Sequence, residues 1–428
     1  MRWGILPYQT IFRLALQADW QAWEVKPKIL PCDEEPSFVT MRGMSLMPPT
    51  EIPPITSLST EPYPDSVYLR ALLEVDGLGN LSILKLLRAF ESPEALWHAT
   101  EAQLALHLGA SKLAAFLNRR AKGLPLTACQ QEQLKGIQAV AITDSAYPAL
   151  LKEIYNPPVL LYVQGALDAL SGRTLAFVGT RKSSEYGRNV TEKLIQELKL
   201  ADVVVVSGLA AGIDTCAHWE AIRGGLPTVA VFGCGLDILY PASNRTLAQE
   251  ILSAGGAWVS EYPAGTQPTR YTFPQRNRIV AGLCQGIVVV EGDIKSGALI
   301  TARLAVEEGR SVYAVPGNIF SSGSQGPHEL LKTGATLVSQ GSELLSDLGW
   351  GVAQSSAMTD PSPPKMTSLP DLSEEEGRLL QAIVFDPMAI DDLPRATGYA
   401  SAKINELLTL LELEGLIVLL PGAKVCRK

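Results

Sequence analysis

Short apolar runs alternate with helix-like segments through the middle of the chain. Leu175–Val178, Val203–Val206 and Thr228–Phe232 each end in small residues or glycine, and further runs follow at Trp258–Ser260, Gly286–Glu291 and Ser311–Val315. Apolar runs this short, without strict alternation, are strands buried on both faces, and the segments between them (Arg188–Leu200 is one) supply helical crossovers. Two more strands precede them, at Ala139–Thr143 and Val159–Val163. The pattern predicts a doubly wound, mostly parallel α/β sheet over residues 126–350. Ligands of such sheets sit at the carboxyl ends of the strands, where glycine turns admit a close backbone approach.

The flanks follow other patterns. Residues 1–65 become Pro-rich toward their end (MPPTEIPPITSLSTEPYPD) and are expected to be an extended tail, much of which a start at Met41, Met44 or Met47 would remove. Residues 66–125 are helical. There Val75-Asp76-Gly77-Leu78-Gly79 joins two amphipathic helices, either as a helix-hairpin-helix turn with backbone N–H groups free for a phosphate or as a plain helical hairpin. Ser92-Pro93 marks a helix start. After a Pro/Ser linker at 351–372, residues 373–428 show a capping box (Ser373, Glu376), a short helix, a longer one from Ser401 and a hairpin, LIVLLPGAKVCR. That order predicts a winged helix. Its long helix sets Lys403 against Glu406, Glu412 and Glu414. A major-groove reader presents basic and amide side chains, so packing or protein contact is favoured over DNA reading.

Composition narrows the picture. The 428 residues are 46% hydrophobic, yet no apolar run is long enough to span a bilayer, and no membrane partner is expected. The first residues fit a secretory signal poorly. Six cysteines without CxxC spacing argue against zinc and disulfides and fit a reducing, cytoplasmic setting. A net charge of −8 confines any polyanion site to a local patch.

Five stretches carry candidate chemistry. Gly179-Thr180-Arg181 ends the first strand of the core, and its arginine can fork onto a phosphate or pair an internal carboxylate. Ser207-Gly208 opens the second turn, and Asp214 and His218 follow at i and i+4, a spacing that suits acid–base work or a hydrogen bond tying the turn to its helix. The densest positive cluster is Arg270-Tyr271-Thr272-Phe273-Pro274-Gln275-Arg276-Asn277-Arg278. Arginines there can hold phosphates while an aromatic face takes a base, or Asn277 and Arg278 can brace the next helix; Arg270 and Phe273 are expected on the ligand side. Ser296-Gly297 opens a helix that can cup an anion. Pro316-Gly317-Asn318 ends another strand, with His328 beyond it. No GxGxxG and no GxxxxGK[ST] stands at these turns, which disfavours a nicotinamide site and a Walker-type ATPase.

VGTR, SGLAAGID…AH, VFGCGLDILYP, SEYPAG, FPQRNRIVAGL, VVVEGDIKSGALITARLA and VPGN occur in this order. Together they closely resemble the DprA/Smf family over about residues 140–340, and the flanking segments look like that family's accessory domains, a helical (helix-hairpin-helix or SAM-like) one and a winged helix. The resemblance implies an extended Rossmann-like core that binds single-stranded DNA, dimerises and delivers the strand to RecA in transformation and recombination. It implies no catalytic turnover, cofactor or metal. By the same resemblance the strand-binding residues match Arg181, with Gly179 and Thr180 in its turn, Ser207 and Gly208, Arg270 and Phe273, and Arg276 and Asn277. Gly326-Pro327-His328 departs from the Gly-x-Asn expected in the last loop. Two other readings compete. One is a Rossmann-like nucleoside-monophosphate hydrolase using Glu291 or Glu261, which lacks its usual PGGxGT-type loop here; the other is a scaffold that only bridges proteins.

Overall fold

Nine strands hydrogen-bond in the order β1-β2-β6-β5-β4-β3-β7-β8-β9. They are β1 Gln138–Ala141, β2 Leu160–Gly165, β3 Arg173–Val178, β4 Val203–Ser207, β5 Thr228–Phe232, β6 Ala257–Ser260, β7 Gly286–Val289, β8 Ser311–Ala314 and β9 Thr336–Leu337. All neighbours from β6 to β9 are parallel, and β2 joins β6 and β1 antiparallel. The chain winds outward from β3 through β4, β5 and β6, then returns to the other side of β3 as β7. The carboxyl end of β3 is therefore the topological switch point, where two loops diverge and leave a crevice.

The computed structural model describes residues 63–350, 372–384, 388–420 and 422–427. The Pro-rich extension through residue 62 and the linker from 351 to 371 lie outside the described residues. Two compact units divide the chain, Met1–Ala353 and Gln354–Lys428.

In the first unit both faces of the sheet are covered, which is why its strands carry unbroken apolar runs. On β3 and β4 the residues alternate between two cores. Leu175, Phe177, Val203 and Val205 join Leu194 and Ile195 of the helix Glu185–Glu197 and Ile213 of the helix Ile213–Arg223. Ala176, Val178, Val204 and Val206 face Ile279 of the helix Thr272–Gly282 and Leu299 of the helix Gly297–Glu307. The first crossover helix begins at Glu185, three residues before the expected Arg188, because the Ser184 hydroxyl accepts from the Gly187 N–H at 3.0 Å.

Helices Asp65–Leu73, Asn80–Leu87, Pro93–His98, Glu101–Ala105, Ala110–Ala121 and Leu126–Leu134 precede the sheet. Gly77 turns the first hairpin at φ +79°, and Ser92 caps the helix that Pro93 opens. This helical segment shares the second core, through Leu69, Leu72 and Leu86. Buried polar groups join it to the sheet. Arg70 donates to Glu132 (3.0 Å) and to the Tyr162 hydroxyl (2.5 Å). Asn80 accepts from the Val159 N–H at 3.0 Å and donates to Glu261 at 2.7 Å. Glu261 in turn pairs with Arg278 at 2.5 Å.

The second unit is a winged helix. Helices Glu374–Ala382, Leu393–Thr397 and Ser401–Leu413 pack Leu379, Ile404, Leu408 and Leu411 against Val425. Ser373 and Glu376 form the expected capping box. Ile417–Leu420 (β11) and Lys424–Arg427 (β12) make the hairpin, and Met388–Ala389 (β10) adds a third strand beside β12. Lys403 pairs with both Glu375 (3.1 Å) and Glu406 (3.4 Å), so the long helix presents little free positive charge near its start.

The Glu261–Arg278 pair is largely shielded, with side chains 15% and 13% exposed. Arg278→Met leaves a carboxylate without its cation and is expected to cost roughly 3–5 kcal/mol in urea denaturation, while Glu261→Leu combined with Arg278→Met restores most of it.

Candidate nucleic-acid interface

Backbone crowding shapes the first turn. The Thr180 N–H donates to the Glu291 carbonyl at 2.8 Å, and the Ile213 N–H donates to the Thr180 carbonyl at 3.2 Å. A Cβ at Gly179 would stand 2.5 Å from Ile213, and one at Gly212, where φ is +86°, would stand 2.2 Å from the Thr180 oxygen. Glycine at both places lets the β3 and β4 turns interlock. Arg181 emerges from the interlock exposed, with its guanidinium carbon 5.9 Å from the centre of the Phe273 ring.

Phe273 and Arg276 lie one turn apart on the helix Thr272–Gly282 and so share a face. Phe273 is half-buried. It packs on Gly233, where a Cβ would come within 2.9 Å, and its ring centre lies 5.3 Å from that of Tyr240. Arg276 is placed differently from the expectation of a ligand donor. Only 5% of it is exposed, and its guanidinium donates to the carbonyls of Gly208 (2.6 Å) and Val231. A Cβ at Gly208 would sit 2.6 Å from that guanidinium. Asp214 accepts from the N–H groups of Gly208 (3.1 Å) and Ala210 (3.4 Å). Burial raises the Asp214 pKa and lowers that of Arg276, and in each case the other's opposite charge works against the shift.

The remaining candidates line up around the same crevice. Arg270 is exposed, 4.8 Å above the Tyr271 ring. Asn277 accepts from Arg276 at 3.3 Å and reaches the Gly297 carbonyl at 3.5 Å. The Ser296 hydroxyl is buried without a partner at the start of the helix Gly297–Glu307, whose first turn holds no acidic residue. Gly179, Thr180, Arg181, Gly208, Arg270, Phe273, Arg276, Asn277, Ser296 and Gly297 all line one cleft of about 1460 Å³. Ser207 does not: it is fully buried and donates to the Phe177 carbonyl at 2.7 Å, so it ties β4 to β3.

Other expectations need correction. Asp214 and His218 share a helix without bonding each other. His218 is fully buried and its Nδ1 meets the Thr228 hydroxyl at 2.7 Å; because that hydroxyl donates to the Val205 carbonyl, Nδ1 carries the proton. Burial, with a smaller contribution from Arg276, lowers the His218 pKa to about 3. The Glu291 carboxylate accepts from the Ser184 hydroxyl (2.5 Å) and N–H (2.9 Å) at the head of the helix Glu185–Glu197. His328 meets the Gly317 carbonyl at 3.0 Å and closes its own loop. Among the cleft residues given no role by the sequence are Tyr240, inside the VFGCGLDILYP motif, and Arg245. The signal for Arg245 was a helix opening on a cation with no acidic residue in its first turn.

Residues 138–349 match the family model described as DNA recombination-mediator protein A, and residues 363–423 match the DprA winged helix domain. DNA processing protein DprA of Streptococcus pneumoniae is 45% identical over 216 residues, which cover 50% of this chain and 76% of that protein. The chain belongs to the DprA/Smf family. Protein Smf of Synechocystis is 32% identical over 395 residues, covering 85% of this chain and 99% of that protein. The X-ray structure of the Streptococcus pneumoniae DprA superposes with a TM-score of 0.59 at 40% identity, across 65% of this chain and 97% of that one. The first family model begins at β1 and encloses every residue of the cleft.

Gly208→Ala forces the Arg276 guanidinium off its carbonyls, and thermal melts should show a loss of about 1–3 kcal/mol. A second expectation concerns pH. Native His218 stays neutral down to about pH 3, while the unfolded chain protonates it below its ordinary value of 6.5. The unfolded state then binds more protons, so this histidine lowers stability progressively as pH falls from about 6.5 toward 3. His218→Gln should show a shallower loss over that range in denaturation series.

Proposed function

We propose that this protein binds single-stranded DNA in the cleft at the β3 switch point and hands the strand to RecA recombinase, working as a homodimer without catalytic turnover. One observation carries the reading. Arg181 stands exposed beside the half-buried Phe273 ring, Arg270 stands exposed over the Tyr271 ring and lines the same cleft, and among the described residues neither pairs with a carboxylate. Unpaired arginines round an aromatic face, in a chain of net charge −8, form a local site for phosphates and unstacked bases. A duplex gains little there because its bases are already stacked. Membership of the DprA/Smf family, with a model named for recombination mediation, supports the same partners. The winged helix, with its acidic long helix, is assigned to protein contact.

The nucleotide-hydrolase reading finds less support. Glu291 and Glu261, the carboxylates it would use, are engaged by Ser184 and by Arg278 with Asn80. Fluorescence anisotropy of labelled oligo-dT and a matching duplex, titrated at several salt concentrations, tests the proposal. Selective strand binding is expected, weakening with salt at a log–log slope near −0.7 per phosphate contact. Arg181→Ala should reduce that slope by about one contact, and Phe273→Ala should weaken binding by about 1–3 kcal/mol. A folded protein that binds neither DNA at low salt would overturn the proposal.

A further inference from the structure

Among the described residues, the carboxylates that line the cleft are Asp214 and Asp237. Asp214 is 7% exposed and faces two backbone N–H groups, with Arg276 nearby. Asp237 lies in the loop after β5 with its side chain 22% exposed, so its charge is answered separately. One of its oxygens accepts from the Gly265 N–H at 2.8 Å, and the other pairs with the Lys135 ammonium at 2.9 Å. Gly235 makes room for the carboxylate in this position, since a Cβ there would stand 2.8 Å from Oδ1. Lys135 stands at the end of the helix Leu126–Leu134 and is not itself among the residues that line the cleft. Its helix is tied to the same loop a second time. Glu132, 4% exposed, accepts from the Ala264 N–H at 3.1 Å and pairs with Arg70 at 3.0 Å. The Gly235 N–H donates to the Thr266 carbonyl at 2.9 Å, which joins the loops after β5 and β6. Successive N–H groups of the loop after β6 are thus taken by two carboxylates, and each of these is matched by a cation of the helical segment.

A cleft of about 1460 Å³ is little wider than the Debye length of about 8 Å at physiological salt, so a bare carboxylate on its wall repels any phosphate inside. We propose that Lys135 is a positioning residue for strand binding: from behind the wall it holds the Asp237 carboxylate against the loop after β6 and cancels its charge, leaving the field of Arg181 and Arg270 uncontested. The helical segment then takes part in binding through its charge, without touching the strand. Because the Lys135 side chain is 50% exposed, the pair adds little to folding stability, and its effect falls on the ligand. The inference rests on the reading of the cleft as a strand site and adds to it a residue that acts through Asp237.

Anisotropy of labelled oligo-dT, with two single variants and their combination, measures this directly. Lys135→Ala should weaken binding about fivefold at low salt, and the defect should shrink as added salt screens the uncovered carboxylate. Its melting temperature should stay at the wild-type value, and Lys135→Arg should restore most of the binding. Asp237→Asn keeps an acceptor for the Gly265 N–H while removing the charge and freeing Lys135, so it should bind more tightly than wild type. Lys135→Ala combined with Asp237→Asn should recover both the affinity and the salt slope of the wild-type protein. A lysine that merely braced the loop would leave this combination as weak as Lys135→Ala. A lysine that touched a phosphate itself would leave its slope shallower by about 0.7. Either result overturns the inference, as does wild-type binding by Lys135→Ala under conditions where Arg181→Ala binds weakly. Failure of the wild-type protein to bind oligo-dT at all would instead overturn the strand-binding reading beneath it.

Discussion

A buried guanidinium holds the cleft together. Arg276 lies on the helix after β6, yet its hydrogen bonds end on the Gly208 carbonyl beyond β4 and the Val231 carbonyl within β5. A cation so placed is tolerated only because carbonyls and a nearby carboxylate replace its water. The arrangement fixes the height of that helix against two strands at once. Phe273, one turn earlier on the same face, is thereby set over the crevice, and the loop carrying Arg270 follows it. Gly208 is the counterpart of this design, since any side chain there would occupy the space of the guanidinium.

The same economy governs charge. An acidic chain can keep a positive crevice only if acids near it are neutralised or turned away. Asp214 faces two backbone N–H groups, Glu291 serves the head of the first crossover helix, and Glu261 is matched by Arg278. The helices beginning at Arg245, Thr272 and Gly297 carry no acidic residue in their first turns. Their partial positive ends add to the field of the arginines instead of being cancelled.

Much of this was legible in the sequence, for physical reasons. Strands covered on both faces leave dense apolar runs, so the long β strands were found to within a residue or two. Thr336–Leu337 and Met388–Ala389, two residues each, leave no such trace. Glycine turns at strand ends located the crevice. What letters do not encode is direction. An arginine in a basic cluster looks the same whether it points to solvent, as Arg270 does, or inward, as Arg276 does. Ser207 is likewise indistinguishable from a ligand-facing serine until its hydroxyl is seen bonded to Phe177. The i, i+4 spacing of Asp214 and His218 permitted a contact, but the histidine finds Thr228 on the neighbouring strand. Tyr240 and Arg245 carry no such signal because their stretch of chain lacks charge density, although Tyr240 stands beside Phe273 of the basic cluster.

The polar seam between the helical segment and the sheet bears on how this chain can be divided. Asn80 satisfies a backbone N–H before β2 and a carboxylate after β6, and Arg70 satisfies Glu132 and Tyr162. Shared apolar packing can be patched by surface substitutions when a module is excised, but a seam of buried hydrogen bonds leaves orphaned groups on both halves. The helices therefore behave as a fixed part of the platform and not as a detachable accessory. A fragment cut at the start of the sheet would keep every residue that lines the cleft but lose the groups that satisfy Tyr162, the Val159 N–H and Glu261.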